Sequence, residues 1–192
     1  MQNPTRLTGL IAALAALMLF TRGSHFGSAI NLPDATLAIF LIAGYWLASN
    51  SLGALAVFSL FLLEAGGIDY YAIAYNEVSD YCVSPAYWFL IPTYASMWLA
   101  GRWFAKRNRS NLHSLALFGG VSLASSTVAF LISNSAFYAF SGKFGEMAPA
   151  EFASRVSQYY APYVSGALTY LALAAVIFMA ATHTRRSGMM QH

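Results

Sequence analysis

Charge is what this sequence has least of. Only 9% of its 192 residues are Asp, Glu, Lys or Arg, where a soluble domain carries about a quarter, so a water-exposed globule is excluded. Cysteine is almost absent. The single Cys82 permits no intramolecular disulfide, and no Cys/His spacing makes a zinc site. There is no Gly-rich phosphate-binding loop, no HExxH and no Ser/His/Asp set in a supporting context, which sets aside ATPases, metalloproteases and serine acyltransferases. No inverted repeat is visible and no charge sits in the middle of an apolar run, so the marks of a pump or channel are missing. The positive excess of +3 is small and sorted rather than pooled. Nucleic acid is therefore not an expected partner.

What the chain does have is apolar sequence in long runs. Hydrophobic residues make up 58% of it, gathered into stretches 7–21, 35–48, 52–63, 85–101, 113–137 and 163–182 with short polar connections. This predicts an all-α integral membrane protein, one domain over residues 1–192, built as a bundle of six transmembrane helices. The first run has the length of a signal-peptide core. No small-residue cleavage site follows Phe20 closely, so an uncleaved first helix is expected. Gly66 and Gly67 are expected to end the third helix, Pro92 to kink the fourth, and Pro149 to start a short interfacial helix over 150–160.

Six crossings put Arg6, Arg102, Lys106, Arg107, Arg109, Arg185 and Arg186 on one side, and by the positive-inside rule that side and both termini are cytoplasmic. The other side or its border holds every acidic residue, from Asp34 to Glu151. The loop 102–109 is expected to set topology and to meet anionic lipid, or to dock a cytosolic protein.

The rest of the chain is organised around residues 64–92, which hold Asp69, Glu77, Asp80, five tyrosines and Cys82 between two apolar runs. Ser84 followed by Pro85 signals a helix start just after Cys82. A thiol there feels the positive helix end, which favours the thiolate. The plain alternative is an inert cysteine, since this residue type is often buried without chemistry. Outer-side candidates for a pocket are Asp69, Tyr71, Tyr87, Arg155 and His25. Each also has an ordinary reading: Asp69 hydrating the interface, the tyrosines forming an interfacial belt, Arg155 pairing with Glu151 one turn away, and His25 sitting satisfied in a loop. In the first helix Ala12 and Ala16 form a small-xxx-small pair, suited to close approach by a helix of this chain or of a partner.

The DYCVSPAYW stretch, the loop TRGSHFGSAINLPDA, the Ala12 and Ala16 pair and the six short helices together resemble the BtuM family. Its members are cobalamin-specific S-components, the substrate-binding membrane subunits of energy-coupling factor (ECF) transporters. The resemblance spans essentially the whole chain, and its most specific part is the lone cysteine between outer-side tyrosines. It implies an S-component-like fold in the inner membrane, cobalamin (vitamin B12) as the transported substrate, and Cys82 as an axial ligand to its cobalt. It also implies that Ala12 and Ala16 meet an ECF coupling protein driven by separate ATPases. A soft thiolate suits cobalt chemically, and sulfur ligation would labilise a cyanide opposite it, which makes decyanation of cyanocobalamin an expectation. The alternatives are a membrane enzyme using Cys82 as nucleophile or redox thiol on a lipid-soluble substrate, and a scaffold with no ligand.

Overall fold

In a bilayer the backbone has no hydrogen-bond partner but itself, so long apolar runs of this kind fold as helices. The structure is a computed structural model describing residues 4–24, 32–49, 51–109 and 112–189; the side chain of Cys82 lies outside what it describes. Among the described residues there are seven α-helices and no strand: α1 Pro4–Ser24, α2 Thr36–Trp46, α3 Ser51–Tyr75, α4 Leu90–Ala105, α5 Leu112–Phe140, α6 Pro149–Ser157 and α7 Tyr160–Met189. Two 3-10 turns, Asp80–Cys82 and Pro85–Phe89, join α3 to α4. Four stretches, Thr5–Arg22, Leu52–Tyr75, Leu112–Phe140 and Tyr160–Ala181, are long and apolar enough to cross a membrane. The chain is thus a helical membrane protein.

Helices α2 and α4, each shorter than the four long ones, lie at the centre. Residues 35–41 of α2 and its approach are buried without a break, as a helix apolar all round should be. Its closest neighbour is α4, and the reason is glycine. A Cβ added at Gly44 would fall on the Trp98 carbonyl oxygen, and one at Gly101 on the carbonyl oxygen of Leu41. The backbones touch at this crossing. Above it the Phe40 ring stacks on Tyr94 at 4.6 Å, with Phe58, Phe61 and Trp98 edge-on around it. Arg102 then closes the C-terminal end of α2, donating from Nη1 to the Leu47 carbonyl at 2.9 Å and from Nη2 to Ala48 at 3.1 Å. A cation at that end also complements the helix dipole.

Three local expectations change. Gly66 and Gly67 do not end the third helix, which runs on to Tyr75; glycine inside a helix is tolerated where neighbouring helices pack on it, and Gly66 lies under the Tyr87 hydroxyl. Asp69 therefore stands inside a helix rather than beyond its end, and the apolar window Leu52–Tyr75 does carry charge, at Glu64 and Asp69. Pro92 is the third residue of α4, where no intrahelical N–H partner is lost, so it starts a helix instead of kinking one. The short helix beginning at Pro149 is present as α6. It is the short helix expected beside the six apolar ones and with them makes seven, with no buried residue and with Glu151 and Arg155 at the ends the dipole favours.

Candidate functional site

Arg22 closes α1, where a helix C-terminus favours a cation. Its neighbours then do the unusual thing of enclosing it. Arg22 is only 8% exposed, and its guanidinium meets Asp69 of α3 as a fork, Nε to Oδ1 and Nη2 to Oδ2, both at 2.6 Å. Nη1 turns to three further oxygens: Asp34 at 3.0 Å, Tyr94 at 3.1 Å and Thr36 at 3.3 Å. Tyr87 donates its hydroxyl to Asp69 Oδ2 at 2.8 Å. The cluster ties α1, α2, α3, α4 and the turn Pro85–Phe89 together at one end of the bundle.

Cys82 is built at that same end. Ser79 caps the 3-10 turn Asp80–Cys82 by accepting from the Tyr81 amide at 3.2 Å, and the Val83 amide returns to the Asp80 carbonyl at 2.7 Å. Tyr81 leans on Phe137 of α5, with the Lys143 ammonium 4.1 Å above its ring. Behind it Phe144 joins Phe137, Tyr138 and Phe152 in a continuous aromatic patch. Tyr138 fixes the loop by donating to the Met147 carbonyl at 2.6 Å. Along the chain the Cys82 turn thus lies between Tyr81, which meets the aromatic surface, and Tyr87, which meets the buried ionic cluster.

The residues singled out from the sequence divide accordingly. Asp69 and Tyr87 are brought into direct contact, with Arg22 as their hub. Tyr71 is exposed and pairs with Tyr75 at 5.1 Å, and two residues on from Asp69 it lies on another face of α3. Arg155 is exposed on α6 and bonded to Glu151 at 2.6 Å, the helical pair its spacing suggests. His25 lies outside the described residues. Ala12 and Ala16 are exposed, while Leu14 and Met18 of the same helix turn into the core. Nothing in the sequence marks Asp34, Thr36 and Tyr94 as the partners of Arg22. Isolated acids and hydroxyls in loops and helix starts carry no pairing signal until the helices bring them together. Phe137 and Phe144 were missed for a similar reason, being ordinary apolar residues of an apolar chain.

At the opposite end lies a second feature. A cavity of about 340 Å³ opens between the C-terminal halves of α2 and α4, the start of α5 and α7. Among the described residues no three His, Cys, Asp or Glu side chains gather as a metal site. No protein-family model matches the chain, and no curated protein matches it.

Proposed function

We propose that this chain binds cobalamin at the end of the bundle that carries Cys82 and moves it across the inner membrane as an S-component-like subunit. The observation that carries the reading is the placement of the Cys82 turn. It is the one thiol in the sequence, and its turn, capped by Ser79, lies in the chain between Tyr81, which meets the aromatic patch, and Tyr87, which meets the Arg22 cluster through Asp69. A corrinoid is a broad apolar ring edged with amides, and flat aromatic faces with a few fixed hydrogen-bonding groups suit such a ligand. Asp69 and Tyr87 serve the site by holding the turn Pro85–Phe89 in place. Tyr71, Arg155 and His25 belong to its rim in this reading.

The bundle crosses six times with both termini cytoplasmic, α6 lying at the outer interface, so Cys82 faces outward. Cobalt would be bound by exchange of ligands. The thiolate sulfur donates a pair to cobalt as the nitrogen base on that face leaves. The trans influence of sulfur then loosens a cyanide opposite, which departs as the anion with the carbon–cobalt pair, so no electron is transferred. Purified protein loaded with cyanocobalamin is expected to be coloured in stoichiometric amount, with absorption bands that revert towards free cobalamin in Cys82→Ala. Colourless protein in both cases removes the corrinoid reading and brings forward the thiol enzyme. Cobalamin released from reduced protein with its cyanide intact after long incubation would exclude decyanation alone.

The exposure of Ala12 and Ala16 supports a coupling surface on α1, because the helices of this chain leave that strip uncovered. Ala12→Leu and Ala16→Leu are expected to lower cobalamin uptake in cells about tenfold or more, since two buried branched side chains at such a contact cost roughly 1–3 kcal/mol each, with binding by the purified protein unchanged. Loss of binding in the same proportion would mean that the strip supports the fold instead. Whether an ECF module supplies the energy is read by the same pair of measurements in cells with and without one.

A further inference from the structure

The cavity at the loop 102–109 end has a composition that points to its occupant. Its volume, about 340 Å³, is within the range of ligand pockets, roughly 300–1,000 Å³. Its walls are mainly Leu, Ile, Phe, Ala and Met, with Trp46 among them, and its polar groups are confined to Tyr45, Asn108 and Ser114. Two of these hold the adjoining loop. The Asn108 amide donates to the Tyr45 hydroxyl at 2.7 Å, and Ser114 accepts from the backbone N–H of Arg109 at 2.9 Å. The loop that supplies Asn108 therefore carries its neighbours Lys106, Arg107 and Arg109 to the same end, and it contains no acid.

These cations are not equivalent. Arg107 lies over the Trp103 ring at 3.9 Å, and Arg102 is engaged with the end of α2. Lys106 and Arg109 are exposed. An apolar slot between helices, with cations on the adjoining loop, matches one kind of molecule in a bilayer, an acyl chain with an anionic headgroup. We infer that the cavity between α2, α4, α5 and α7 takes an acyl chain of an anionic phospholipid from the leaflet facing loop 102–109, with Lys106 and Arg109 on its phosphate. Water in such a slot would find few partners, and cations on the loop are attracted to an anionic headgroup at the membrane surface. Non-specific attraction of the loop to anionic lipid would need no cavity. Occupation of the cavity is the new element.

Trp46 provides the readout, because it lines the slot. The protein would be reconstituted in phosphatidylcholine vesicles containing increasing fractions of brominated phosphatidylglycerol, and separately of brominated phosphatidylcholine. The quenching lost on Trp46→Phe isolates the cavity from the exposed Trp88 and Trp103. The Trp46 component is expected to be quenched at about a tenfold lower fraction of the anionic lipid than of the zwitterionic one. Ala175→Phe, which fills the slot, is expected to abolish that component. Lys106→Gln combined with Arg109→Gln is expected to erase the preference, and since both residues are exposed this variant reports even if Ala175→Phe does not fold. Equal quenching by the two lipids overturns the inference, as does quenching that persists in folded Ala175→Phe. A shift in oligomeric state on Ala175→Phe, measured in detergent by light scattering, also overturns it by assigning the slot to a second copy of the chain.

Discussion

Asp69→Ala is expected to destabilise the protein more than any other single change at the Cys82 end. It removes the fork that neutralises Arg22 and leaves the guanidinium buried, with Asp34 the remaining carboxylate at 3.0 Å. Breaking a buried pair on one side costs about 3–5 kcal/mol, and for a chain of this size that corresponds to a fall of roughly 10 °C in the unfolding midpoint. The measurement is thermal unfolding in detergent, followed by elution as a monodisperse peak. Replacing both partners separates a structural ion pair from a merely present one. Arg22→Met with Asp69→Leu removes charge and hydrogen bonds together, so the double variant is expected to be more stable than Asp69→Ala alone. If the double variant is the less stable of the two, Arg22 contributes through Asp34, Thr36 and Tyr94 independently of Asp69.

The second large effect lies at the helix crossing. Gly101→Leu is expected to prevent α2 and α4 from meeting, because the new Cβ alone would collide with the Leu41 carbonyl oxygen and come within 2.9 Å of the Tyr45 nitrogen. Backbone atoms cannot swing aside as a side-chain tip can. The helices must separate, and the Phe40, Tyr94 and Trp98 stack that the crossing supports separates with them. The expected result is loss of the monodisperse protein. Gly119→Ala is the control, since nothing lies within 4 Å of a Cβ there. Alanine gains roughly 1 kcal/mol over glycine inside a helix, so this variant is expected to be as stable as the parent or slightly more so. Equal damage from both substitutions would mean that α5 glycine is needed for a contact with another molecule.

These two sites show what kind of information a membrane sequence carries. Hydropathy and run length sufficed for the membrane class, the helical fold and the approximate ends of most helices, because the bilayer admits few other ways to satisfy a backbone. They also located the end that carries Cys82, Asp69 and Tyr87, since loops and polar residues collect at helix ends. The spacing of Glu151 and Arg155 was enough for their pair, as both lie on one helix four residues apart. Such local readings need no knowledge of which helix lies beside which.

Everything that depends on neighbours had to come from the tertiary structure. Gly66 and Gly67 look like a helix stop until Tyr87 is seen to pack over the helix that continues through them. Gly44 and Gly101 look unremarkable until α2 and α4 cross at both. Arg22 looks like a solitary charge near a membrane surface, yet Asp69 is 47 residues away in sequence and closes a fork on it. Composition and period determined that this chain is helical and membrane-embedded, because those properties follow from each segment's own contact with lipid. The ionic cluster around Arg22, the glycine crossing and the apolar slot at the far end were decided only by packing, because each is made of residues that acquire their role from a partner distant in the chain.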